Sequence, residues 1–153
     1  MLQMDQLKKI RIYIFMFFGV IWVQFWLGIT INSESNIFPP GGTISGLALS
    51  SYYTARSIPI IAHMAIGILL LLISIRVFLL SMEGGFYALR IASASGLACV
   101  AIAIIGGTVY LFVGQELVYN IAMTMAALTS VLIYSVAIYY TGVLEIANDS
   151  TRI

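Results

Sequence analysis

Four membrane-crossing helices, packed as one all-α polytopic bundle with both termini cytoplasmic, are what this chain predicts. Three observations carry that expectation. Of 153 residues only 8% are charged and 61% are hydrophobic, with a mean hydropathy of +1.06. A water-soluble domain carries about 25% charged residues, so too few remain here to coat a globule, and most of the chain needs lipid as its solvent. Four apolar runs each exceed the ~20 residues that a helix needs to cross a ~30 Å hydrocarbon layer. The basic residues, finally, divide six to one between the two sides that four spans define.

The first run, TM1 at about 11–31, follows Lys8, Lys9 and Arg11. Its apolar core is longer than the ~7–15 residues of a secretory signal and no A-x-A-like site follows, so it reads as an uncleaved helix. Residues 32–57 form the one long connection, expected on the outer side. It opens polar (NSESN) and turns at Pro39-Pro40-Gly41-Gly42, where proline removes a donor and pushes its predecessor out of the α region. Leu47, Leu49, Tyr52 and Tyr53 give its second half an interfacial character, since tyrosine favours the headgroup level. TM2 is expected at about 58–80, with Pro59 in its first turn, where the missing N–H is not needed. A short turn with Gly84-Gly85 leads to TM3 at about 91–113. Gln115-Glu116 mark a brief exit, TM4 covers about 118–144, and residues 145–153 form a cytoplasmic tail.

Orientation follows from charge. With the N-terminus inside, Lys8, Lys9, Arg11, Arg76, Arg90 and Arg152 all lie on the cytoplasmic side and only Arg56 lies outside, which satisfies the positive-inside rule. A multi-pass protein of the cell membrane, built as a single domain, is the expectation. Its first partner is the lipid bilayer. A net charge of +1 excludes nucleic acid, because no basic patch can neutralise a row of phosphates. The single cysteine, Cys99, excludes an internal disulfide and any CxxC site; among alanines and glycines it reads as a small hydrophobe.

Lipid tails are as apolar as leucine, so helices associate in a membrane largely by close packing over small residues. TM3 offers Ser95, Cys99, Ala103 and Gly107 every four residues, and TM4 offers Ala122, Ala126 and Ser130. These stripes are expected to pack TM3 on TM4; the alternative is a docking face for another protein.

His63 is the only histidine, and an ionisable ring inside a span needs a partner or a use. It lies ~8 Å below the outer end of TM2, and Gln24 lies roughly 10 Å below the same surface on TM1. A Gln24–His63 hydrogen bond would make the pair interhelical glue. Haem ligation is the sharper reading, neutral imidazole being a common axial ligand. Met123 on TM4 falls at nearly the same depth, which makes His63 and Met123 a candidate axial pair with Gln24 beside it. A bis-histidine site would need a homodimer. Acidic residues (Asp5, Glu34, Glu83, Glu116, Glu145, Asp149) all fall at span ends or in loops. Ion-coupled transport and Ser/His/Asp catalysis therefore lack a buried carboxylate, and no catalytic residue or metal cluster is assigned.

The order Gln24-x3-Gly28, Pro-rich outer loop, His63-x3-Gly67 and Gly/Ala-rich TM3 resembles small uncharacterised prokaryotic four-helix integral membrane proteins. More distantly it is similar in layout to one four-helix half of the haem A synthase-type proteins. That family uses paired histidines and a TM1 carboxylate. This chain has neither the second histidine nor the carboxylate, so the resemblance implies the layout and not the activity. Two functions are expected to compete. One is a non-catalytic subunit or accessory protein of a larger membrane assembly, without a cofactor. The other is a b-type haem or quinone-associated electron-transfer protein using His63.

Overall fold

The computed structural model describes residues 2–34, 46–112 and 117–150, which are helical except for a turn at 84–86. The helices are α1 Leu2–Glu34, α2 Gly46–Glu83, α3 Tyr87–Phe112 and α4 Leu117–Ser150. Each contains a segment long and apolar enough to cross a membrane: Met4–Ile31, Ile58–Glu83, Tyr87–Tyr110 and Leu117–Ala147. The expectation of an all-α chain with four helices of membrane-crossing length holds. The Pro39–Gly42 turn, the Gln115-Glu116 exit and residues 151–153 lie outside the described residues.

Helix ends run past the predicted ones. α1 starts at Leu2 rather than near 11, and α4 continues to Ser150 through much of the expected tail. Hydropathy marks where a span stops, whereas glutamine, lysine, leucine and glutamate extend a helix into polar surroundings at little cost. The larger correction is in α2. Residues 46–57, expected as the second half of a loop, form its first turns, and Pro59 stands inside the helix. Its missing N–H releases the carbonyl of Ala55 from the ladder, a defect that helices of this class tolerate when neighbouring groups compensate.

Neighbours in the chain pack side by side and α4 closes the ring on α1; α3 with α4 is the most extensive pair and α1 with α4 the least. All four seams are antiparallel. Gln24 and Gly28 of α1 face Gly67 and His63 of α2, and Gly96 and Gly106 of α3 face Tyr134 and Met123 of α4. Ser81 of α2 bonds Ser93 of α3 at 2.6 Å. Arg11 of α1 pairs with Glu145 of α4 at 2.7 Å. The α2–α3 turn needs its glycines: Gly85 adopts φ 71°, and a Cβ on Gly84 would meet the Phe86 ring at 2.8 Å.

Buried side chains cluster in the half of the bundle nearer the chain termini. They run over Leu7–Ile21, Leu70–Ser81, Leu89–Val100 and Ser130–Thr141. At their centre is Tyr134, fully buried. Its ring lies 4.5 Å from that of Phe17 on α1 and so close to Gly96 on α3 that a Cβ there would stand 2.7 Å away. Its hydroxyl end faces Ser74 of α2 without forming a hydrogen bond.

The α3 contact stripe differs from the expected one. Ser95 is exposed, and the buried line runs through Leu89, Ser93, Gly96 and Val100 to reach Gly107. Gly96→Ala should lower stability by about 1–3 kcal/mol, the usual cost of overpacking. Tyr134→Phe should be neutral or stabilising, because it deletes a buried hydroxyl that has no partner. Unfolding titrations in micelles read both. A harmless Gly96→Ala would show that Tyr134 is free to move aside.

Candidate functional site

Four residues of helix bring side chains back to one face, so Gln24 and Gly28 share a face of α1, and His63 and Gly67 share one of α2. The antiparallel seam then sets each polar side chain against the other helix's glycine. His63 Cε1 lies 3.6 Å from where a Cβ on Gly28 would stand. Gln24 Nε2 lies 3.7 Å from the corresponding point on Gly67, beside Ile104 of α3. Each polar side chain thus packs against the other helix at a glycine, where a Cβ would be in ordinary van der Waals contact with it.

The structure brings Gln24 and His63 together as the sequence suggested, but not in the bond suggested. No hydrogen bond joins them, and Gln24 Oε1 and His63 Nδ1 are both buried without a partner. Both side chains are half-buried as a whole. Met123 belongs to a different seam, its backbone against Gly106 and its Sδ 3.1 Å from where a Cβ on Gly107 would stand. His63 faces α1 and Met123 is seated on α3, so the two lie on different seams. Among the described side chains, the arginines all lie towards the other end of the bundle, Arg11 paired with Glu145 and Arg76 and Arg90 about two turns from Gly84, away from any propionate at His63.

Several hydroxyls in the apolar helices are engaged locally. Ser74, Thr108, Thr129, Ser130, Ser135 and Thr141 each donate to a carbonyl three or four residues back on their own helix. Among the described residues no three His, Cys, Asp or Glu side chains gather where a metal ion could be held. Sequence reasoning missed Tyr134 and the Ser81–Ser93 link. The signal for Tyr134 was its position near mid-span, away from the headgroup level where a tyrosine is at home.

No protein-family model, curated protein or solved structure matches this chain.

The glycine recesses yield a direct test. Gly28→Leu should destabilise by about 1–3 kcal/mol because the new side chain meets the His63 ring. Gly19→Ala, at an exposed position with nothing within 4 Å, should be neutral or add up to about 1 kcal/mol of helix propensity. Thermal unfolding that ranks the two the other way round would remove His63 from the α1 face.

Proposed function

We infer that the chain is a non-catalytic subunit or accessory protein of a larger assembly in the cell membrane, inserted with both termini cytoplasmic. The observation that carries this reading is a shallow apolar groove on the outward side of the α3–α4 pair. Ala88, Ala92 and Ser95 form its floor, and Ile91, Leu132 and Val136 its sides. Small residues facing lipid lose nothing in hydrophobicity by doing so, but they let another helix approach closely. The partner that fits is a transmembrane helix of another subunit.

Insertion is supported by the outward faces of all four helices, where Ile12, Trp22, Ile68, Ile105 and Leu132 are more than half exposed; in water such faces would aggregate. Orientation rests on the six-to-one distribution of basic residues. In a Cys99→Ala background, cysteine placed at Leu117 should react with an impermeant maleimide on intact cells. Cysteine placed at Glu83 should react only after lysis, and the reverse pattern would invert the topology.

A b-type haem or quinone-associated electron carrier is the second reading, favoured by the unpaired Nδ1 of His63. It would take a second axial ligand from another copy of the chain. Protein purified from native membranes in mild detergent separates the two. The subunit reading expects no Soret band, and co-purifying membrane polypeptides that are lost in Ser95→Leu while thermal stability is kept. A Soret band abolished by His63→Leu would establish the haem form of the second reading instead, and a lone monomer carrying neither haem nor quinone would sink both.

A further inference from the structure

The Gln24–His63 pair has a geometry that neither reading above uses. Gln24 stands opposite Gly67 and His63 opposite Gly28, so amide and imidazole occupy neighbouring levels one helical turn apart. Four residues of helix rise about 6 Å. One hydrogen bond closes only about 3 Å, whereas two in series through a single oxygen close about 5–6 Å. An offset of one helical turn is of the size that a single bridging oxygen spans. Gln24 Oε1 and His63 Nδ1 are both buried and unpaired, and such groups are costly in hydrocarbon unless satisfied. Glycine at 28 and at 67 keeps the space beside each group clear of side chain.

We propose that Gln24 Oε1 and His63 Nδ1 form a binding site for one hydroxyl oxygen, hydrogen-bonded to both. Two sources carry that chemistry: a buried water, and the hydroxyl of a membrane-soluble alcohol or phenol. Proton counting separates them. The amide oxygen only accepts, and a neutral imidazole presents one donor and one acceptor. An alcohol has a single proton to give. Once that goes to Gln24 Oε1, the alcohol oxygen must accept from His63, which holds the ring in its Nδ1–H tautomer. Water has two protons and can donate to both atoms, so it also permits Nε2–H. Among the described side chains the nearest charge is Arg76, nine residues along α2 from Gly67, and the Arg11–Glu145 pair lies farther still.

His63 is the only histidine, so ¹⁵N-histidine labelling gives one imidazole to observe in lipid bilayers. Magnetisation from a hydroxyl or water proton should reach the wild-type ring, and Gln24→Leu should abolish that transfer. Addition of 1-decanol with decyl methyl ether as control then identifies the source. A saturable change towards the Nδ1–H form with the alcohol and none with the ether assigns a lipid-phase hydroxyl. Transfer that persists with no response to either assigns water. A ring that receives no such transfer with or without 1-decanol, or one that correlates directly with the Gln24 amide protons, overturns the site. Transfer that survives in Gln24→Leu overturns the sharing of one oxygen.

Discussion

One tyrosine ring resting on a glycine is the contact through which all four helices meet. Tyr134 of α4 lies on Gly96 of α3, packs on Phe17 of α1 and points towards Ser74 of α2. In lipid the usual driving force for burying an aromatic is absent, and helix pairs are held by van der Waals contact and the few polar links available. A flat ring against bare helix backbone makes more such contact than any two branched side chains meeting tip to tip. Glycine inside a helix costs roughly 0.5–1 kcal/mol of conformational entropy. At Gly96 that cost admits a ring whose atoms would otherwise stand 2.7 Å from a Cβ.

The rest of the bundle is graded around this contact. Towards the termini the seams are fastened by the Ser81–Ser93 bond, by the glycine turn before α3, and by Arg11, which lies over Gly142 and pairs with Glu145. That ion pair is about one-third exposed on each side, so its value is as a marker of register along the thin α1–α4 seam more than as stability. Away from the termini, beyond Gly67 on α2, the described side chains are only partly covered. The polar pair lies in this looser half. A buried imidazole and amide are easier to admit where the aromatic core has already ended.

Span number and order were legible because twenty apolar residues have one structural solution in hydrocarbon. Helix ends were not, since the polar stretch before Arg11 and the one after Leu144 suit a helix as well as a tail. The 46–57 stretch was misread through Pro59, which is as compatible with a helix interior here as with a first turn. The small-residue stripe failed for a geometric reason. Steps of four residues advance 400°, so a strict i, i+4 line drifts about 40° per step and about 120° over three. Ser95-Cys99-Ala103-Gly107 therefore spirals off the interface. The observed line, alternating four and three through Ser93, Gly96, Val100 and Gly107, stays on it. What was left outside the interface at Ser95 became the floor of the outward groove.

The Gln24–His63 pair was legible in kind and not in form, and its two x3-Gly spacings explain why. Similar depth on adjacent helices suggested that the two side chains would face each other. An antiparallel seam with glycine four residues beyond each polar residue instead staggers them, because each side chain settles into the recess opposite. The stagger leaves an amide oxygen and an imidazole nitrogen, both buried and unpaired, in a region of low dielectric, where an unmet hydrogen bond is most costly. A sequence that needed only interhelical glue would be served as well by two serines, as Ser81 and Ser93 show at 2.6 Å. The longer side chains and their paired glycines make sense if the seam has to hold a third, hydroxyl-bearing group.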